Sequence, residues 1–193
     1  VVKNANGTLR NVFVYVKSGL EGKNFSVPSQ PVVLDQDGCI YVPHVIGIQA
    51  RQALKVVSSD KTTHNIHPMP KVNRESNVSQ PPGGDPIMMN FSRPEVSIPV
   101  KCNQHVWMRA YIHVVGHSFF AVTGQDGAFE IKGLPPGNYQ IEAVQEEFGA
   151  MIQQVTVGPK EAKTVDFTYS AKQAYRPSSL EMQPAILLPC CAE

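Results

Sequence analysis

The chain is predicted to fold as an all-β protein built from β-sandwiches. Apolar and polar residues alternate with a period of two in ten short runs, which is the pattern of half-buried strands. Turn signals such as Asp37-Gly38, Asp126-Gly127 and Pro136-Gly137 separate these runs. The 16 prolines and 14 glycines among 193 residues also favour many turns and few helices. Short strands at regular spacing are typical of sandwiches.

The predicted strands follow one another along most of the chain. In order, they cover residues 12–16, 40–42, 54–57, 95–100, 110–115, 120–122, 129–131, 139–144, 151–157 and 164–168. Only residues 160–163 and part of the stretch 45–53 favour a helical turn. Residues 69–88, rich in Pro, Asn and Ser, are predicted to form a long loop, and residues 171–193 form a tail with little periodicity.

Composition excludes several classes of protein. The formal charge is +1, with 17 Lys and Arg against 16 Asp and Glu, which gives no electrostatic footprint for nucleic acid. No apolar run approaches the ~18 residues that span a membrane. The chain begins at Val1 and carries no signal segment, so it is expected to be the mature form of a bacterial periplasmic or otherwise extracytoplasmic protein.

Four side chains have the composition of a copper site. Cys102, His105 and Met108 lie in one short loop after the predicted strand 95–100, and His64 follows the strand-like run 53–59. One thiolate, two imidazoles and a weak axial thioether are the ligands of a mononuclear blue-copper ion. The sequence therefore predicts one copper ion held by His64, Cys102, His105 and Met108.

Three alternatives compete with this prediction. A buried Cys, a hydrogen-bonded His and a core Met can fall close together by chance. Zinc also binds Cys and His, but it does not call for a thioether, and no second Cys lies near the loop. His67 rivals His64 as the first imidazole ligand; His64 is preferred because the two histidines are expected to face different ways in a strand.

These motifs resemble those of a known family. The Cys102-x-x-His105-x-x-Met108 loop is similar to that of amicyanin, and His64-Asn65 resembles the first-ligand motif of cupredoxins. Together with residues 34–44 and with Gly133 to Tyr139, the order of motifs resembles bacterial methylamine-utilisation-like proteins, which join a cupredoxin to a carboxypeptidase-regulatory-like module. The resemblance extends to about residue 170.

The resemblance implies two domains. A Greek-key cupredoxin over residues 31–115 is expected to be inserted in, or followed by, a transthyretin-like, carboxypeptidase-regulatory-like sandwich formed by residues 1–30 and 116–170. Residues 10–17 would then pair with strands of the second sandwich. Asn65 is expected to tie the strand of His64 to the copper loop, and Val106, Trp107 and Phe91 are candidates for an apolar rim.

The expected function is electron transfer and not enzymatic catalysis. A blue-copper carrier would exchange single electrons with a cytochrome or another electron-transfer protein, or serve as a subunit of a larger assembly. The alternative is a structural or adhesive module whose metal site is vestigial or only stabilising.

The remaining cysteines and histidines have no fixed role in the sequence. Cys39 is expected either to pair with another cysteine, such as Cys190 or Cys191, or to be a small buried residue. His44 and His67 stay open as ligands of a second metal, but hydrogen-bonded structural histidines are the commoner case, as they are for His113.

Overall fold

Residues 7–170 are described by a computed structural model. Within this range the chain forms thirteen strands and no helix, so the predicted all-β class is confirmed. No helix between residues 7 and 170 could cross a membrane. The strands are β1 (Phe13–Ser18), β2 (Val32–Asp37), β3 (Ile40–Val42), β4 (Val45–Gln49), β5 (Ala53–Ser58), β6 (His64–Pro68), β7 (Val78–Gln80), β8 (Ile87–Asn90), β9 (Glu95–Lys101), β10 (Arg109–Val115), β11 (Phe120–Val122), β12 (Gly137–Gln145) and β13 (Gly149–Val157).

The described residues divide into two compact units. Unit 1 contains residues 7–25 and 119–170, and unit 2 contains residues 26–118. The domain limits drawn from the sequence, 31–115 against 1–30 with 116–170, stay a prediction because compactness does not by itself show that a segment folds independently. The predicted tail, residues 171–193, lies outside the described residues.

Unit 1 contains one antiparallel sheet in the order β11-β1-β12-β13. Strand β1 pairs with β11 and β12, so residues 13–18 pair within unit 1, which agrees with the pairing expected for residues 10–17. The inner face of this sheet carries small and medium apolar side chains, including Val14, Val16 and Ala143, which are fully or almost fully buried. Such alternation along each strand places every second residue in the core.

Two predicted strands of unit 1, 129–131 and 164–168, are not strands in the structure. Phe129, Ile131 and Phe167 do pack against the core of unit 1, as their spacing predicted. However, their backbones join no strand ladder in the described range. Alternating apolar residues reveal which side chains face inward, but they do not supply the partner strand that a ladder needs.

A buried carboxylate connects strands β1 and β12 of unit 1. Glu142 of β12 stands directly opposite Tyr15 of β1, and the Tyr15 hydroxyl donates to its carboxylate. Lys17 donates to the other oxygen at 2.6 Å, so the buried charge is paired. Burial is the main cause that raises the pKa of Tyr15 above its ordinary value, and the contact with Glu142 raises it further. The phenol therefore stays protonated.

Unit 2 is a sandwich of two sheets. One sheet has the order β4-β10-β9-β6-β7 and the other β3-β2-β5-β8. The two sheets enclose an apolar core in which Leu34, Leu54, Ile66, Ile112 and Val114 are completely buried. At about 25 cal/mol per Å² of buried apolar surface, each side chain of this size contributes roughly 1.5–3 kcal/mol.

Two stretches of unit 2 differ from the sequence prediction. The predicted loop 69–88 contains β7 and the start of β8, and β7 pairs with the beginning of β6 from His64 to Ile66. The stretch 45–53, which favoured a helical turn, contains β4 instead, and β4 lies parallel to β10. In both cases pairing with a distant strand outweighs the weak local preference of the segment.

A buried histidine lies at an irregular point of β9 and β10. The register of these strands shifts between Ile112 and Val114, and Ser97 opposite has a φ of 62°. The backbone N–H of Ser97 donates to Nδ1 of His113 at 3.2 Å. Burial lowers the pKa of His113 to about 3, so the imidazole stays neutral at neutral pH.

We expect His113 to make the stability of unit 2 dependent on pH. In the unfolded chain its pKa is about 6.5, so between pH 6.5 and about 3 the unfolded state binds a proton that the folded state does not. The free energy of unfolding should therefore fall as the pH falls through this window, by up to about 1.4 kcal/mol per pH unit. Urea titrations of wild type and His113→Gln between pH 4 and 8 measure this slope.

The Gln variant carries an uncharged amide that does not titrate. Its free energy of unfolding should change less between pH 4 and 6.5 than that of wild type. Above pH 7.5 the difference in this free energy between the two proteins should not depend on pH. Equal slopes in both proteins below pH 6.5 would contradict this role of His113.

Candidate metal centre

The loop between β9 and β10 brings three of the predicted ligands to one end of unit 2. Its two ends are joined by a hydrogen bond in which Cys102 N donates to Met108 O at 3.1 Å. Inside the loop, Met108 N donates to His105 O at 2.9 Å. These bonds close residues 102–108 into a tight turn, which keeps Cys102 and His105 close together without a metal.

The fourth predicted ligand comes from a distant part of the sequence. His64 is the first residue of β6, and β6 pairs with the end of β9 through His67 and Lys101. Nδ1 of His64 lies 2.9 Å from Nδ1 of His105, and Sγ of Cys102 lies 3.7 Å from the same nitrogen of His105. Three donor atoms from two segments therefore meet at His105.

These distances suit a small ion bound in a trigonal plane. With bonds of about 2.0 Å to nitrogen and about 2.3 Å to sulfur, the geometry places nitrogen and sulfur about 3.7 Å apart and two nitrogens about 3.5 Å apart. The Cys102–His105 distance already has this value. The two imidazoles would need to separate by roughly half an ångström, which a small rotation of either side chain provides.

Met108 and Cys102 both lie inside the protein. Cys102 is a free thiol and almost completely buried, and Met108 is fully buried in the core of unit 2. A buried thioether and a buried thiol in the same core suit copper, for which Met is a weak axial ligand in His₂Cys sites. The assignment of Met108 as that ligand stays a prediction.

Cys39 also lies near the two histidines. One donor atom each from Cys39, His64 and His105 fit within 4.8 Å of one another, a group that the sequence analysis did not predict. Cys39 is disulfide-bonded, and a disulfide sulfur offers no thiolate charge to a metal. Cys102, which is free, is therefore the better thiolate ligand of the two, and the disulfide answers the question that the sequence left open for Cys39.

Asp60 fixes the orientation of His64. Its carboxylate lies 2.8 Å from Nε2 of His64 and accepts the backbone N–H groups of Gly38 and Cys39, each at 2.8 Å. Burial alone raises the pKa of Asp60, but these donors and His64 outweigh it, so the pKa lies below its ordinary value. An ionised Asp60 accepting from Nε2–H leaves Nδ1 of His64 as a lone pair for a metal.

Sequence reasoning missed Asp60. The only signal was an acidic residue four positions before a predicted metal-binding histidine, and acidic residues are common in turns. Recognising its role requires the fold, because the turn at Gly38 and Cys39 supplies the donors that keep the carboxylate in place.

His105 is kept neutral by its surroundings. Burial lowers its pKa, and the neighbouring His64 lowers it further, whereas the negative charge of Asp60 acts in the opposite direction. A neutral imidazole is the form that binds a metal. The electrostatics of the site therefore favour a ligand role for His105.

Asn65 ties the two ligand segments together, as expected from the sequence. Its side-chain oxygen accepts the backbone N–H of Asn103 at 2.6 Å and contacts Sγ of Cys102 at 3.3 Å. Its amide group donates to Asn77 at 2.6 Å, and its backbone oxygen accepts the hydroxyl of buried Tyr41 at 2.5 Å. This network restricts movement of the Cys102 side chain.

The surface beside the site is apolar. Val106 is 70 % exposed and Trp107 is 37 % exposed, and the Trp107 ring lies 5.4 Å from that of His105. Trp107 Nε1 donates to the backbone oxygen of Cys39 at 3.1 Å, which fixes the ring at the edge of the site. Phe91 is buried in the core and is therefore not part of this rim.

Neither of the other candidate histidines belongs to a metal-binding group in the described range. His67 contacts Glu75 at 2.6 Å and Asn103 at 3.3 Å, and it stands outside the His64–His105 pair. Nδ1 of His44 lies 3.0 Å from the backbone oxygen of Arg109. These three contacts are typical of structural histidines.

Part of the chain matches a family of known domains. Residues 103–170 match the family model of the carboxypeptidase regulatory-like domain, which confirms the resemblance expected for the second module. The match begins inside unit 2, because it includes β10, which pairs with β4 and β9. It does not include β1, the strand that lies between β11 and β12 in the sheet of unit 1. No curated protein matches the chain.

Several solved structures, among them cupredoxins and a copper enzyme, match the chain. They include a mutant of amicyanin in the Cu(I) form (16 % identity, 52 % of this chain and 97 % of that chain, TM-score 0.39). A purple cupredoxin from Nitrosopumilus maritimus matches with 17 % identity over 43 % of this chain and 98 % of that chain, with a TM-score of 0.37. A copper-containing nitrite reductase from Thermus scotoductus matches with 20 % identity over 52 % of this chain but 25 % of that chain, with a TM-score of 0.38. Because these TM-scores are low, a proposed function has to be argued from the side chains of this chain.

Proposed function

We propose that the protein binds one copper ion through His64, Cys102 and His105, with Met108 as a weak axial ligand, and carries single electrons between extracytoplasmic redox partners. The observation that supports this proposal is the convergence of the His64, His105 and Cys102 donor atoms at 2.9 and 3.7 Å. Bound copper would supply a one-electron couple. The disulfide at Cys39 agrees with an oxidising compartment outside the cytoplasm.

The surroundings of the site suit electron transfer because they resist movement. Asp60 holds His64, Asn65 holds the backbone of the copper loop, and the Cys102–Met108 hydrogen bond closes that loop. Ligands that are held in place by the fold keep nearly the same positions in both oxidation states, which lowers the reorganisation required for each transfer. The partly exposed edge at His105 gives a partner access to the site.

Copper loading of the full chain tests the proposal. We expect one copper ion per chain, an intense absorption band near about 600 nm from the copper–thiolate bond, and reversible one-electron reduction. A chain that folds but takes up no copper would overturn the proposal and favour a structural module. Copper uptake without a redox response would indicate a site that only stabilises the fold.

A further inference from the structure

A groove of about 430 Å³ lies on unit 2 beside the candidate thiolate ligand. Cys102 is among the residues that line it, so the groove adjoins the candidate site. The residues that line the groove include two cations, Lys101 and Arg109, and no carboxylate.

The two cations stand next to each other on the sheet. Lys101 ends β9 and Arg109 begins β10, and the two residues are directly opposite in the strand register. Directly opposed residues of an antiparallel pair project from the same face, where like charges repel. Within residues 7–170 neither side chain forms an ion pair. The pair is therefore a local concentration of positive charge on a chain whose net charge is only +1.

We propose that this groove is the docking site of an acidic electron-transfer protein, whose carboxylates pair with Lys101 and Arg109. This inference rests on the proposed function, because it assigns the groove as the route by which electrons reach or leave the site. Apolar residues such as Met69, Pro99 and Val106 give the partner a surface to pack on, while the two cations select and orient it. Electrostatic attraction of this kind raises association rates by factors of ten to a thousand at low salt.

The direct test uses charge reversal with charged redox reagents. The copper-loaded, reduced chain gives one electron to hexacyanoferrate(III), an anion that becomes hexacyanoferrate(II), or to tris(phenanthroline)cobalt(III), a cation that becomes its cobalt(II) form. Relative to wild type, Lys101→Glu with Arg109→Glu should slow the anionic oxidant at least about tenfold at low ionic strength and accelerate the cationic one. Salt of about 0.5 M should remove both effects.

A matched control reverses the same number of charges elsewhere on unit 2. Lys55 lies on β5 of the other sheet, and Arg51 is an exposed residue that precedes this strand. Lys55→Glu with Arg51→Glu should change the two rates much less than the groove variant does. Equal effects of both double variants would show that net charge alone sets the rates, and this result would overturn the groove assignment.

Binding of an acidic protein to the metal-free chain gives a measurement that does not depend on copper. Cytochrome b5, an acidic haem protein, should bind the metal-free chain at low salt, and the groove variant should weaken that binding at least about tenfold while the control variant retains it. Arg109→Glu alone places opposite charges across the strand pair, so it should raise the Tm while slowing the reaction with the anionic oxidant. A purely structural role for Arg109 predicts that Tm and rate change together.

The outcomes separate this inference from the proposed function. If the chain binds copper and cycles reversibly but the groove variant leaves both rates and cytochrome b5 binding unchanged, the docking site is wrong and the electron carrier stands. If no copper binds, the proposed function fails, and binding of cytochrome b5 to the metal-free chain still decides whether the groove recognises an acidic protein.

Discussion

Replacing Cys102 with Ser is expected to remove the blue colour completely. The serine hydroxyl is close in size to the thiol, but it is not ionised near neutral pH and does not form the copper–thiolate bond that gives the absorption near about 600 nm. Metal affinity should also fall by several orders of magnitude, because the only anionic ligand in the proposed set is lost. Absorption spectroscopy and copper analysis after loading measure both effects.

Cys39→Ser is the matched control for this substitution. Cys39 also lies near His64 and His105, but its sulfur is disulfide-bonded. We expect the Cys39 variant to lose stability, by about 2–4 kcal/mol as is typical of disulfides, yet to keep the colour. If Cys39→Ser lost the absorption and Cys102→Ser kept it, the thiolate would be Cys39 and the ligand set proposed here would be wrong.

Asp60→Asn is expected to weaken metal binding about 10- to 100-fold while preserving the colour. The carboxylate at 2.8 Å from Nε2 of His64 holds the imidazole in the form that presents Nδ1 to the site. An amide carries no charge, and its NH₂ group can oppose either Nε2–H or one of the two backbone donors that Asp60 now satisfies. Competition with a chelator of known affinity measures the change.

Asp37→Asn provides the comparison, since Asp37 is an exposed residue at the end of β2. This variant should bind copper as wild type does. Because Asp60 also anchors the backbone at Gly38 and Cys39, the folding of both variants must be compared by thermal unfolding of the metal-free chain. A normal copper affinity for a folded Asp60→Asn protein would show that the carboxylate does not orient His64 toward the metal.

The sequence predicted the features that depend on local patterns. The alternation of apolar residues located most of the strands, and the motif from Cys102 to Met108 pointed to a loop in which the Cys102 sulfur and a His105 ring nitrogen lie 3.7 Å apart. The contact of Asn65 with the loop 102–108 was also expected, because Asn65 follows His64 in a recognisable motif. In each case, a short stretch of sequence contains the motif that led to the prediction.

Features that depend on distant contacts were not predictable from local patterns. The loop prediction for residues 69–88 missed β7, because that strand exists through its pairing with His64 to Ile66. Residues 129–131 and 164–168 show the converse, since they alternate as strands do but lack a ladder partner in the described range. Asp60 belongs to the same class: its role depends on a turn 22 residues earlier in the chain.

The discontinuity of unit 1 has a consequence for how the chain matures. Phe13 of β1 stands opposite Val144 of β12, so this sheet cannot close until most of the polypeptide has been synthesised. Within residues 7–170 unit 2 is the continuous segment 26–118, and this segment can collapse before β1 pairs with β12. Phe25 and Phe119 flank the inserted segment, and their rings lie 5.6 Å apart, edge to face. Once residues 26–118 have folded, Phe25 and Phe119 lie close together. The entropy cost of bringing β1 to β11 and β12 is therefore smaller.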